Sequence, residues 1–238
     1  MRKTSLPNRD GIKQIRALVE SIKQEIIFGR LRPRERLVED DLIRRFDVSR
    51  HLVRSAFAEL QQMGLVTRRP NKGVIVRDFA PKEVDEVYEM RALLQSEAIR
   101  RIAFPVEQAL IDQLEETHAA YEAAIEAHDL KQVCALNNDF HHTLFSASNN
   151  HYLTELIHRA WIETLGIRCY AIGDPQLLER SRQDHRQMLD ALRAGDRTKL
   201  IALCAEHIWP ALEAYKVAHG GWQYSQEGRP SLRIAVSR

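Results

Sequence analysis

Residues 39–66 read EDDLIRRFDVSRHLVRSAFAELQQMGLV and decide the fold of the N-terminal part of the chain. The first segment, EDDLIRRF, is predicted to form a short helix that ends before Asp47 and Val48. Ser49 is a favourable N-cap residue, so a second helix is predicted to begin directly after it. The apolar stripe of this second helix consists of Val53, Ala56, Phe57, Leu60 and Met63. A short helix, a tight turn and a longer helix together predict a helix-turn-helix.

The segments on either side complete a winged form of this motif. Before it, GIKQIRALVESIKQEIIFG has helical spacing and ends at Gly29, a residue suited to a left-handed C-cap. After it, LVTRRPNKGVIV alternates around a PNKG turn, which predicts a β-hairpin. The order of these elements predicts a winged helix-turn-helix domain over residues 1–78.

Charge is distributed unevenly along the chain. The first 80 residues contain 18 Lys and Arg against 10 Asp and Glu, whereas the rest contains 17 basic and 23 acidic residues. A basic first third joined to an acidic remainder is typical of a polyanion-binding module carried by a second unit.

Residues 79–220 have the sequence pattern of helices. Helical patterns cover approximately 82–103, 106–127, 129–148, 150–171, 175–194 and 196–218. Six antiparallel helices with short loops would make a bundle able to enclose a cavity. We therefore predict a mainly α protein, in which a winged helix-turn-helix precedes an all-α antiparallel helical bundle. Residues 221–238 form a tail whose structure the sequence does not predict.

The apolar runs and the cysteines bear on where the protein resides. No apolar run approaches the roughly 18–20 residues that cross a bilayer, so no membrane partner is predicted. Cys134, Cys169 and Cys204 form no CxxC pair, so neither a disulfide framework nor a zinc knuckle is indicated. A reducing, cytoplasmic location is expected.

The second helix and the hairpin carry the side chains expected to contact double-stranded DNA. A recognition helix reads base edges from its first turns. Its residues there are Ser49, Arg50, His51 and Arg54. The hairpin, whose tip can enter a minor groove, adds Arg69, Asn71, Lys72 and Gly73. The alternative is that these charges are simply solvated, and the basic balance of the N-terminal third favours DNA contact.

The later helices place histidines on apolar faces. Asn137 and His141 are four residues apart and share a helix face, while His142 points about 100° away, toward solvent. His185 and His207 lie on the apolar stripes of two later helices. A single such histidine is typically a hydrogen-bonded core residue, but three inward-facing imidazoles in one bundle favour a shared divalent metal.

The N-terminal sequence resembles a known family. The run GRLRPRERLVEDDLIRRFDVSRHLVRSAFAELQQMGLV is similar to the signature of GntR-type bacterial transcription regulators. It departs from that signature at Arg34, where glycine is usual, at Phe57, where leucine is usual, and at His51-Leu52, where Thr-Pro is common. In the family, the positions matching Ser49, Arg50, His51, Arg54 and the wing residues Asn71–Gly73 approach DNA.

The helical part resembles the FCD effector domain of the FadR subgroup. The similar pieces are YEMRALLQSEAIRRIA, NNDFHHTLFSASNN, DHRQMLDALRAGD and the final EHI. The resemblance implies metal ligands at Asn137, His141, His185 and His207, with Asn137 in the place of an acid. Zinc, nickel and manganese are all admissible ions for such a set.

The charge of such a site predicts what kind of effector it binds. Three neutral imidazoles and an amide leave a divalent ion with its full charge, which an anionic oxygen ligand would offset. We therefore expect a small organic acid, with Arg91 as a further contact for its carboxylate. Arg168 could supply a second contact. Either arginine could equally form an interhelical or surface pair, and this is the preferred interpretation for Arg168.

Three functions are compatible with these patterns. The preferred hypothesis is a ligand-responsive repressor, not an enzyme, which binds an inverted-repeat operator as a homodimer because one recognition helix covers only a few base pairs. The alternative is a metal-dependent hydrolase or lyase with a basic N-terminal segment, although no acid or base stands beside the histidines as in H-E-x-x-H. A purely architectural DNA binder would leave the inward polar residues unexplained.

Overall fold

The structure is a computed structural model that describes residues 9–70 and 73–218. The N-terminal part contains α1 (Arg9–Ile27), β1 (Arg36–Leu37), α2 (Glu39–Phe46), α3 (Arg50–Gln62), β2 (Val66–Arg69) and β3 (Gly73–Val76). The remaining described residues form α4 (Pro81–Arg101), α5 (Gln108–Glu126), α6 (Leu130–Ser146), α7 (His151–Glu163), α8 (Leu165–Ile172), α9 (Pro175–Arg193), α10 (Arg197–Glu206) and α11 (Trp209–Ala218). The predicted tail at 221–238 lies outside the described residues.

The predicted helix-turn-helix is confirmed as α2, a tight turn and α3. Asp47 ends α2 in the left-handed region, with φ 49°. The backbone N–H of Leu52 donates to the Ser49 hydroxyl at 3.4 Å, so Ser49 is the N-cap of α3. Four of the five predicted stripe residues are buried against the rest of the domain, namely Val53, Ala56, Phe57 and Leu60.

The wing is a three-stranded antiparallel sheet with the order β1-β3-β2. The predicted hairpin pairs Thr67 with Ile75 and Arg69 with Gly73. The strand β1 was not predicted, because two residues are too few to show an alternating pattern. Two residues at the predicted tip of the wing, Asn71 and Lys72, lie outside the described residues.

The winged helix-turn-helix and the helical part share a core. Apolar residues of α1 pack on α3 and the sheet in one cluster, which also contains Leu165 from the first turn of α8. The two parts are also joined by an ion pair, in which Arg77 Nη1 lies 2.6 Å from Glu163 Oε1. The helix α8 therefore packs directly against the winged domain.

The prediction of six helices in the second part was wrong. The described residues there form eight helices, because two predicted segments are broken. The first break follows Thr164, whose hydroxyl donates to the Ala160 carbonyl at 2.7 Å at the end of α7. The second lies at His207, since Pro210 lacks the N–H that a continuous helix needs. The fold class, mainly α with a winged helix-turn-helix and a helical bundle, is confirmed.

None of the described helices combines the length and the apolar composition that crossing a bilayer requires.

Candidate functional site

Three of the predicted metal ligands meet inside the helical bundle. His141 comes from α6, His185 from α9, and His207 is the C-cap residue of α10. The Nε2 atom of His141 lies 3.1 Å from Nε2 of His207 and 3.1 Å from Nε2 of His185. One ligand atom from each of the three rings lies within 4.8 Å of the others. Helices far apart in sequence thus direct three imidazoles at one point.

Aromatic side chains hold two of these rings. Phe140 stacks on His185 with ring centroids 4.4 Å apart, and Phe145 stacks on His141 with centroids 5.8 Å apart. Trp161 meets His141 edge-on. These neighbours restrict rotation of the rings, so the direction of the Nε2 atoms is set by packing.

Asp184 orients the third histidine. Its carboxylate accepts a hydrogen bond from His207 Nδ1, with Nδ1 and Oδ2 2.9 Å apart. A neutral imidazole has one N–H, so a proton on Nδ1 leaves the Nε2 lone pair facing the cluster. Asp184 was not predicted to act at this site. Its position directly before His185, a predicted ligand, was the one indication that the sequence offered.

Burial favours neutral imidazoles in the cluster. Desolvation, followed by the neighbouring imidazoles, holds the pKa of His141 and His185 well below the ordinary histidine value. A neutral ring nitrogen either donates or accepts, so Nε2 of His141 cannot make a normal hydrogen bond to both of its close neighbours. At least one of the two 3.1 Å contacts therefore lacks a proton between its nitrogens.

These distances fit a common cation. Two nitrogens in neighbouring coordination positions, each about 2.0–2.1 Å from one ion, lie about 2.9–3.4 Å apart. The 3.1 Å separations fall in that range. The predicted fourth ligand, Asn137, is half-buried and lines the same cavity as His141 and His207. The residues present can hold a divalent ion.

The cavity beside the cluster has a volume of about 80 Å³ and is lined by Arg91 and Arg168 as well as Asn137. The Arg91 side chain is 4% exposed, and its Nε and Nη1 atoms donate no hydrogen bond within the described residues. Burial lowers the pKa of Arg91 to about 10, while Tyr88, whose ring lies 4.6 Å from the guanidinium carbon, acts in the opposite direction. A buried guanidinium with unused donors is suited to an anionic ligand.

Arg168 makes an interhelical contact, as the sequence analysis preferred. Its Nη2 atom donates to Asn138 Oδ1 at 2.6 Å, which connects α8 to α6. Its guanidinium also lies over the Trp161 ring at 5.4 Å. Arg168 also lines the cavity.

His142 lies outside the cluster. Its side chain is exposed, as the helical spacing predicts, and its ring faces His158 with centroids 6.4 Å apart. The two adjacent histidines of α6 therefore have different surroundings.

The predicted recognition-helix residues lie together on an exposed surface. Ser49, Arg50, His51 and Arg54 are all exposed at the start of α3. Both arginines form ion pairs with the start of α2. Arg50 Nη2 is 2.5 Å from Asp40 Oδ1, and Arg54 Nε is 3.1 Å from Glu39 Oε1. DNA phosphates or bases would replace these acidic partners.

The described part of the wing adds basic side chains to the same domain. Arg69 is exposed and pairs in register with Gly73, which has φ +73°. The side chain of Arg36 passes within 3.7 Å of the point where a Cβ of Gly73 would lie. Arg36 and the exposed Arg68 were not predicted, because their place on the wing depends on the sheet register.

Comparison with known proteins agrees with these features. The model of the GntR family of bacterial regulatory proteins matches residues 14–76. The model of the FCD domain matches residues 86–209, which include all four predicted metal ligands. The chain belongs to the GntR family and carries an FCD domain. It is a transcriptional regulator whose N-terminal domain binds operator DNA.

Individual relatives of this regulator are also named as transcriptional regulators or repressors. A "Probable D-xylose utilization operon transcriptional repressor" of Paenarthrobacter nicotinovorans is 29% identical over 203 residues, covering 84% of this chain and 88% of that protein. An HTH-type transcriptional regulator in the TAR-I ttuE-ttuC' intergenic region of Agrobacterium vitis is 30% identical over 138 residues, covering 57% and 81%. A GntR transcriptional regulator from Rhodococcus sp. RHA1 has the same fold, with TM-score 0.71 and 24% identity over 87% of this chain and 99% of that chain.

The hypothesis of a metal-dependent hydrolase or lyase is therefore rejected. The matched families and the named relatives are transcriptional regulators, not enzymes, and the basic N-terminal segment is a DNA-binding domain.

Proposed function

We propose that this regulator senses a small carboxylic acid through a divalent metal in the FCD domain. His141, His185 and His207 would hold the ion, with Asn137 as a weaker or water-mediated ligand. The observation that carries the proposal is the convergence of three imidazole Nε2 atoms beside the unused donors of the buried Arg91. Zinc, nickel and manganese remain the candidate ions, since imidazole suits the first two and open oxygen positions admit the third.

The effector would interact with two positive groups of the cavity. A bound metal supplies a positive charge and open positions that a carboxylate oxygen can occupy. Arg91 binds an anion through its Nε and Nη1 atoms, which donate no hydrogen bond within the described residues. An uncharged ligand would leave this guanidinium buried without a counter-charge, which is unfavourable.

The helix α8 connects this cavity to the DNA-binding domain. Arg168 on α8 lines the cavity, while Leu165, one turn earlier, is buried in the core that α1 and α3 share. An effector that contacts Arg168 better in one position of α8 would shift the equilibrium between two placements of the winged domains. We propose that the regulator is a repressor and that the effector acts on it in this way. The Paenarthrobacter relative is named as a probable repressor.

The active species would be a cytoplasmic homodimer on an inverted repeat. The helices α4 and α7 present apolar side chains to solvent. Leu93 and Leu156 are 58% and 50% exposed, and Met90 and Tyr152 extend the patch. Charges of both signs flank it, including the exposed Arg100 and Glu155. A second copy would cover the apolar residues and place two recognition helices on DNA.

A mobility-shift experiment tests this function. The metal-loaded regulator is bound to its own upstream DNA, and small organic acids are added individually. We expect at least one acid to change the fraction of DNA bound without being consumed, and a chelator to abolish the effect while binding persists. If no carboxylic acid changes the mobility in either metal state, the proposed sensing function is wrong.

A further inference from the structure

We propose that the effector is a short dicarboxylate, with one carboxylate at the histidine cluster and the other at Arg91. This inference rests on the proposed function, because it assumes that a carboxylate binds in this cavity. It adds the number of charged groups that the effector must carry.

The charges that line the cavity support a doubly charged ligand. Arg91, Arg168 and Arg180 all line it, whereas Asp184 is the one carboxylate among the described lining residues. Asp184 already accepts a hydrogen bond from His207. Asn137, at the position where the family resemblance implies an acid, contributes no charge. A divalent ion would increase the positive excess further.

A single carboxylate offsets only one of the positive charges around the cavity. The buried Nε and Nη1 donors of Arg91 and a divalent ion at the histidines would both need a negative partner. Since a buried, unpaired charge is strongly unfavourable, the second carboxylate should contribute substantially to binding. Arg168 needs a carboxylate partner less than Arg91 does, because Asn138 Oδ1 already accepts a hydrogen bond from it at 2.6 Å.

The size of the cavity limits the length of the acid. A cavity needs on the order of 10–15 Å³ to hold one water molecule. The volume of about 80 Å³ therefore corresponds to roughly five to eight water-sized groups. Diacids such as malonate and succinate are in this size range.

Calorimetric titration of the full-length, metal-loaded protein tests the inference. Succinate is compared with butyrate, which has a methyl group in place of the second carboxylate, and malonate is compared with propionate. We expect the better diacid to bind at least about tenfold more tightly than its monoacid, because hydrogen bonds to a charged group are the stronger ones. Inorganic phosphate tests charge alone, since it has no carbon chain between its charged groups, and it should bind more weakly than the diacid.

The variant Arg91→Gln tests whether the second carboxylate binds at Arg91. It should reduce the affinity for succinate much more than the affinity for butyrate, so that the preference for the diacid is lost, and metal content should be unchanged. The comparison of acids on the wild-type protein needs no variant, so it decides the inference even if Arg91→Gln does not fold. Equal affinity for diacid and monoacid, or phosphate binding as tight as succinate, would overturn the dicarboxylate and leave acid sensing intact. If no acid binds, the proposed function itself fails.

Discussion

The imidazole of His207 donates a hydrogen bond from Nδ1 to Asp184, with 2.9 Å between Nδ1 and Oδ2. Asp184 directly precedes His185, so one turn of α9 carries both a candidate ligand and the group that orients another. Partners of this kind fix the tautomer of a metal-bound histidine and increase its basicity. The effect of Asp184 on the site is therefore open to a direct test.

Asp184→Asn should weaken metal binding by about 10–100-fold, because the amide no longer stabilises the Nδ1 proton electrostatically. Competition with a chromophoric chelator measures this affinity. Asp190→Asn, an exposed position on the same helix, is the matched control. Equal metal affinity in both variants would show that Asp184 has no such role.

Arg91→Met should stabilise the effector-free protein. Burial lowers the pKa of Arg91 to about 10, so the folded state pays for keeping this guanidinium charged near neutral pH. Replacing it with an apolar side chain of similar length should raise the free energy of unfolding by roughly 1–3 kcal/mol. Urea denaturation measures the change, and mobility shifts should show a lost effector response. A less stable variant would mean that Arg91 is already well compensated.

The ion pairs of the recognition helix predict that removing the arginines and removing their acidic partner change operator affinity in opposite directions. Arg50→Ala and Arg54→Ala should each weaken operator binding by about 1–3 kcal/mol if the arginine reads a base. Glu39→Gln should instead strengthen it, because Arg54 loses its acidic partner at 3.1 Å. Titrations over a salt series measure both effects, with Arg193→Ala on α9 as the control. Unchanged affinity in all three variants would contradict the assigned DNA surface.

The apolar patch on α4 and α7 predicts how the homodimer forms. Leu93→Glu introduces a charge where we expect a second copy to pack, so sedimentation should show a monomer with weakened operator binding. Val217→Glu is the matched control, because Val217 is also exposed, at 76%, but lies on α11. A dimeric Leu93→Glu protein would place the interface elsewhere.

Local patterns predicted the main elements and the three histidines that meet in the cluster. The cap at Ser49 and the stripe of α3 depend on neighbours within a few residues, and the faces of His141 and His142 follow from helical spacing alone. Features that depend on packing between distant segments were missed. The pairing of β1 with β3 and the contact between Asp184 and His207 both require the tertiary fold.

Arg34 is a second example of a feature that the local sequence could predict only in part. The sequence indicated only that Arg34 replaces a usual glycine. In the structure Arg34 has φ +70°, a conformation that favours glycine, and its Nε atom lies 2.5 Å from Asp78 Oδ2. The family's preference for glycine here thus has a backbone reason, whereas the ion pair could not be foreseen from local sequence.

Elemental analysis shows whether the histidine cluster holds one divalent metal. Wild-type protein, His185→Ala and His142→Ala are loaded with zinc, nickel or manganese, dialysed and analysed for metal per chain. We expect about one bound ion in the wild type and in His142→Ala, whose exposed ring lies outside the cluster, and loss of the ion in His185→Ala. Wild-type protein without metal, or equal metal content in His185→Ala, would contradict the proposed metal site.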